Sequence, residues 1–137
     1  MGETFDFAAN GWKINDHAGF IGLVGPFWER WKGDGPIFAF QAQEKHENLR
    51  GVVQGGMLMT FADRSLGSFA RARNEYRPQA TVQLDIHFLG SVKIGDVVIG
   101  RARMVRNTRT LMFLEGNFCV HDAPVLSARG VWKKLGV

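Results

Sequence analysis

Apolar residues along this chain repeat with two different periods, and the switch between them separates helical from extended stretches. Phe20, Leu23, Phe27 and Trp31 recur every three or four positions, the period of an amphipathic helix. Asp16 is placed to cap it, while Gly19, Gly22, Gly25 and Pro26 interrupt it. Two short helical pieces are therefore expected, with Pro26 near the start of the second. Gly33-Asp34-Gly35-Pro36 reads as a turn. Ile37 to Lys45 mixes Phe and Ile with small and polar residues and ends in charge, which predicts a strand.

From Gly55 to about Arg73 the apolar positions Met57, Leu58, Met59, Phe61, Ala62, Leu66, Phe69 and Ala70 cover more than one helical face. This predicts a long helix packed deeply by its surroundings, since a surface helix would be more polar. After Arg77-Pro78 the period becomes two, with Val82, Leu84, Ile86 and Phe88 alternating against Thr81, Gln83, Asp85 and His87. Three more strands are expected at about Asp96 to Val105, Thr110 to His121 and Val125 to Lys133, parted by Arg106-Asn107-Thr108 and Asp122-Ala123-Pro124. The fold class is α+β: a mainly antiparallel sheet of about five to six strands wrapped around the one helix apolar enough to fill its buried face.

At 137 residues, one domain spanning residues 1–137 is expected. The 45% hydrophobic and 22% charged composition suits an ordinary globular protein. No stretch approaches the ~20 apolar residues of a membrane helix, and Met1 to Asp6 carry no basic-then-apolar leader, so a cytoplasmic location is expected. Cys119 is the only cysteine, which leaves no internal disulfide. A net charge of +4 favours encounter with phosphates, coenzyme A among them. No helix-turn-helix, zinc-finger or aromatic-basic RNA pattern accompanies the charge, so nucleic acid is not expected as a partner.

The candidate chemistry lies at His46-Glu47-Asn48-Leu49-Arg50-Gly51-Val52-Val53-Gln54-Gly55-Gly56 and at Asp63 within the helix that follows. An HxNxxG element, a Gly-Gly helix start and an Asp a few residues on resemble the signature of phenylacetate-pathway-type thioesterases in the 4-hydroxybenzoyl-CoA thioesterase superfamily. The resemblance implies a hotdog fold, hydrolysis of acyl-CoA to free acid and CoA, and an active site at a dimer interface. It further implies that Asn48 and Asp63 handle the attacking water or the carbonyl carbon, that the Gly55 amide polarises the thioester oxygen, and that the Thr81 hydroxyl assists. The family's usual His stands where this chain has Gln54, which donates a hydrogen bond but holds no proton near neutral pH. Gln54 is therefore expected to orient the carbonyl.

Elementary chemistry points the same way. The first N–H groups of a helix have no internal partner and sit at the positive end of its dipole, so the Gly55-Gly56 start suits an oxyanion, and Gly56 lets substrate approach the backbone. Asp63 has no charged residue one turn before or after it, and a carboxylate held apart from bulk water suits a general base or nucleophile. Gly55 and Asp63 are eight residues apart in sequence. That spacing is about 12 Å along one helix. Both touch one thioester carbon only if two protomers contribute, with antiparallel helices about a two-fold axis. A homodimer, alone or as half of a dimer of dimers, is expected.

Other residues carry competing readings. His46 is placed near substrate but is as readily a structural hydrogen-bonding residue, and Asn48 without the motif is an ordinary turn residue. Arg106 and Arg109 flank a turn beyond Arg101 and Arg103, suggesting a basic surface near the sheet edge that contacts coenzyme A phosphates. Cys119 with His121, and Asp85 with His87, share strand faces but lack the further partners that nucleophilic or metal chemistry needs. No metal is expected, and no cofactor beyond the coenzyme A of the substrate. Phe20, Phe27, Trp28 and Trp31 are candidates for a flap over an acyl tunnel. The alternative function is a non-catalytic acyl-CoA or acyl-ligand binding protein of the same fold.

Overall fold

A computed structural model describes residues 3–33 and 35–137. Met1, Gly2 and Asp34 lie outside the described residues, and with them the start of the opening segment and one position of the expected Gly33 to Pro36 turn, whose Gly35 and Pro36 belong instead to a strand. Seven strands run in chain order as β1 (Lys13–Ile14), β2 (Trp28–Lys32), β3 (Gly35–Gln41), β4 (Gln79–Phe88), β5 (Val97–Asn107), β6 (Leu111–Val120) and β7 (Ala123–Lys134). The helices are α1 (Phe20–Val24) and α2 (Gly55–Arg73). The strands form one antiparallel sheet in the order β1-β2-β3-β5-β6-β7-β4.

The sheet curls around α2, the hotdog arrangement. Phe61, Ala62, Leu66, Phe69 and Ala70 on the helix are buried against Phe38, Phe40, Leu114, Phe118 and Trp132 of the strands. Close approach needs small residues in the sheet: a Cβ added at Gly116 would come within 2.8 Å of the Leu66 side chain. At ~25 cal/mol per Å², burying such side chains contributes roughly 1.5–3 kcal/mol each. On the opposite face of the sheet, Phe7 and Trp12 cover Ala39, and the Phe7 ring stacks on Trp28 at 5.1 Å. Farther along that face Arg103, Glu115, Arg129 and Asp85 sit in register across β5, β6, β7 and β4.

The N-terminal third differs from expectation. Only Phe20–Val24 is helical, and the anticipated second helical piece is β2, whose Trp28 pairs with Ala39 and Arg30 with Ile37. A three- or four-residue spacing over so short a window fits either state, and here the open edge of β3 offered ladder hydrogen bonds that the Gly- and Pro-broken segment could not make internally. Adding β2 and the short β1 raises the strand number to seven. Asp16 does not cap α1: its Oδ1 accepts from the neighbouring His17 N–H, and Gly19 stands at the cap. Phe20 and Leu23 are exposed rather than packed. β3 ends at Gln41, and Glu44–His46 is a 3-10 turn. β6 ends at Val120, so His121, at φ 48°, lies in the β6–β7 turn and shares no strand face with Cys119. Among the described residues no helix is long and apolar enough to cross a membrane.

Candidate active site

Helix α2 carries a stripe of polar and small residues on the side turned away from the sheet core: Thr60, Asp63, Arg64, Gly67, Ser68 and Arg71. Positions three and four apart share a helical face, so one strip of surface presents them all. Together with Phe20 and Ile21 of α1 and Thr81 and Leu84 of β4, this stripe lines a cavity of about 560 Å³. Asp63 is half-buried there, and its Oδ1 accepts a hydrogen bond of 2.9 Å from the Thr81 hydroxyl. Thr81 lies beside a β-bulge between Thr81 and Gln83, an irregularity of the kind that re-aims side chains at strand edges. Asp63 and Thr81, eighteen residues apart in sequence, are thus brought into contact through one carboxylate oxygen.

A second cavity of about 430 Å³ opens at the start of α2, lined by Gln54, Gly56, Thr60, His46 and Phe20. The Gln54 Oε1 accepts from the Met57 N–H at 3.1 Å and caps the helix. Among the described residues the N–H groups of Gly55 and Gly56, the first two of the helix, have no acceptor. The two cavities share Phe20 and Thr60 but separate the carboxylate from the helix tip.

His46 and Asn48 hold backbone in place. The His46 Nδ1 accepts from the Gln43 N–H at 3.0 Å and its Nε2–H donates to the Val24 carbonyl at 2.6 Å, which fixes the neutral tautomer. Burial pushes the imidazole below its ordinary pKa of 6.5, against the opposing pull of the Val24 carbonyl. With both nitrogens occupied, His46 tethers the loop before α2 to the end of α1 and has no polar atom left for substrate. The Asn48 Oδ1 accepts from the N–H groups of Arg50 and Val52, at 2.7 and 3.3 Å, so it closes the loop, and only its amide NH2 is free to meet a ligand.

Arg106 and Arg109 lie at the β5–β6 hairpin tip, exposed and lining neither cavity. β5 is interior to the sheet, so the tip marks an end of the strands and not the sheet edge. Sequence reasoning overlooked Arg64 and Arg71. The i, i+4 and i+8 positions from Asp63 hold Gly67 and Arg71, and counting along the helix from the carboxylate would have found that stripe. The Arg64 Nε donates to Asn15 Oδ1 at 2.9 Å, and the Asn15 amide in turn donates to Glu29 at 2.8 Å and Ser68 at 3.2 Å.

A sequence model of the thioesterase superfamily matches residues 50–125, more than half of the chain and the segment that holds Asp63, Thr81 and the helix start. The chain belongs to the thioesterase superfamily. Its activity class is accordingly thioester hydrolysis. The chain of this thioesterase is 32% identical over 114 residues to "Putative esterase PA0474" of Pseudomonas aeruginosa, covering 82% of this chain and 85% of that one. It is 26% identical over 95 residues to acyl-coenzyme A thioesterase 13 of Mus musculus, covering 69% and 67%. The fold matches that of a mutant of the phenylacetic acid degradation protein PaaI from Thermus thermophilus with a TM-score of 0.76 at 19% identity, covering 85% of this chain and 98% of that one.

Proposed function

We propose that this thioesterase hydrolyses acyl-CoA to carboxylic acid and coenzyme A, with Asp63 of one protomer facing the helix tip of another. The observation that carries the proposal is the Asp63 carboxylate, half-buried in a cavity and held by Thr81 with one oxygen free. Its partner group, the pair of unclaimed N–H groups at Gly55 and Gly56, sits about 12 Å away along the same helix, out of reach of the same carbonyl. A second copy supplies the missing half when two α2 helices lie antiparallel. Strand β4 supports such pairing: it is a ten-residue edge strand with one side unpaired and Val82 and Phe88 exposed.

In this reading the free oxygen of Asp63 takes a proton from water as the water oxygen attacks the thioester carbon. The carbonyl electron pair moves to oxygen, and the oxyanion accepts a hydrogen bond from the N–H of Gly55 of the partner subunit, at the positive end of the helix dipole. The tetrahedral intermediate collapses, the C–S bond breaks, and the departing thiolate takes the proton back from Asp63. Direct attack by the carboxylate would use the same placement. Gln54, committed by its Oε1 to the helix cap, has its NH2 group for the carbonyl and carries no proton. The similarity to acyl-coenzyme A thioesterase 13 supports coenzyme A as the thiol.

The test is free-thiol release from aryl and fatty acyl-CoA esters. Asp63→Asn should lower kcat by roughly 10³ while ligand binding persists, in the range for loss of a general base. Binding without turnover by the native chain would instead support the ligand-binding alternative, which the replacement of the family's His by Gln54 permits.

A further inference from the structure

The cavity that holds Asp63 is charged at both ends, with opposite sign. Asp63 stands at one end; one turn on, Gly67 leaves the helix surface without a side chain; another turn on stands Arg71. The separation of Asp63 and Arg71 along α2 is about 12 Å. The same cavity is lined by apolar Ile21 and Leu84 and by Trp132, with polar Ser68 and Gln79 beside them, the Gln79 amide donating to the Gly67 carbonyl at 2.8 Å. A Cβ added at Gly67 would lie 3.4 Å from the Trp132 indole nitrogen and 3.9 Å from the Gln79 amide nitrogen, in contact with both, so glycine leaves that space to a ligand.

The two cationic groups of the cavity, Arg71 two turns from Asp63 and Arg64 next to it in sequence, have unused capacity. Arg64 is half-buried and is gripped through its Nε by Asn15, while one terminal nitrogen makes only a 3.5 Å contact with the Asp16 carbonyl. Burial, and then the neighbouring charge of Arg71, press the Arg64 guanidinium below its ordinary pKa, against the opposing charges of Asp16, Glu29 and Asp63. Among the described residues neither Arg64 nor Arg71 has a carboxylate within ion-pair distance. Two guanidinium groups that repel one another in one cavity are stabilised by an anion that binds between them, and their forked donors match a carboxylate.

We infer that the acyl group this cavity takes is one bearing a terminal carboxylate, the mono-CoA ester of a medium-length dicarboxylic acid, with the carboxylate received by Arg71 and Arg64. This rests on the assignment of Asp63 to the thioester carbon. The thioester then lies beside Asp63, the spacer crosses Gly67, and the distal anion sits toward Arg71, within reach of the Arg64 side chain.

The experiment compares octanoyl-CoA with suberyl-CoA, the same chain length ending in a carboxylate, on the native chain, Arg71→Gln and Arg71→Lys. The native kcat/KM should favour suberyl-CoA by about tenfold, the effect of one hydrogen-bonded charge pair. Arg71→Gln should bring the ratio near unity, and Arg71→Lys should restore part of it. A native preference for octanoyl-CoA would overturn the inference. So would equal losses on both esters in Arg71→Gln, which would place the guanidinium on the phosphates common to both. Calorimetric binding of the non-hydrolysable thioether analogues of the two esters separates this from the hydrolase assignment. A carboxylate preference that Arg71→Gln abolishes, in a chain that turns over neither ester, sustains the inference and overturns hydrolysis; equal binding of the two thioethers overturns the inference.

Discussion

The tip of helix α2 and its middle are both rich in polar side chains, but they use them in opposite ways. At the tip, His46, Asn48 and Gln54 direct their hydrogen-bonding atoms at backbone, so what remains available to a ligand is mainly main-chain N–H. From the middle of the helix to its last turn, Asp63 is bonded through one oxygen only, Arg64 chiefly through its Nε, and Arg71 has no ion pair among the described residues, and all three line one cavity. A polar residue whose bonds are already satisfied holds structure, and one with capacity left over is available to a substrate. By that criterion His46 moves from the substrate to the scaffold.

Substitutions sharpen the contrast, because a change at Asp63 should alter rate while a change at His46, whose ring is committed to backbone, should alter stability. The largest effect is the loss of roughly 10³ in kcat for Asp63→Asn, with an unchanged urea midpoint. His46→Ala should cost about 3 kcal/mol in urea unfolding, since it leaves the Val24 carbonyl and Gln43 N–H without partners and empties a buried ring site. Were His46→Ala to fold normally and lose only turnover, the division between tip and middle would fail. Thr81→Val removes the 2.9 Å bond that aims Asp63 and should lower kcat about tenfold at constant KM. Gln54→Ala removes the cap on Met57 and should cost about 1 kcal/mol of stability.

The smallest effect is a pH dependence. His46 has its folded pKa lowered beneath the unfolded 6.5, so the unfolded chain binds the proton more readily. The stability from His46 is therefore complete above pH 6.5 and is lost as pH falls through the folded pKa. Thermal melts from pH 7.5 to 5 should show this decline, and His46→Gln should flatten it.

The helix was legible to the residue: Gly55 and Gly56 mark its start, and apolar positions on more than one face run to Arg73. β4 and the β5–β7 meander were legible because period two and turn residues alternate cleanly. β2 was not, since Phe27 and Trp31 lie at helical spacing from Phe20 and Leu23, and only the open edge of β3 decides that Trp28–Lys32 is extended. In the site, Asp63 and the Gly-Gly start were visible as a motif with a physical reason. The Arg64–Asn15–Glu29 network was not, because Arg64 on α2, Asn15 just after β1 and Glu29 on β2 meet only in the folded chain.

The sequence by itself determined the wrapped helix, the antiparallel sheet and the carboxylate within that helix, because period and punctuation are local properties that survive without coordinates. Only the tertiary structure decided which polar groups are already satisfied. Hydrogen bonds such as Thr81 to Asp63 or His46 to Val24 join residues whose separation along the chain carries no information about their separation in space.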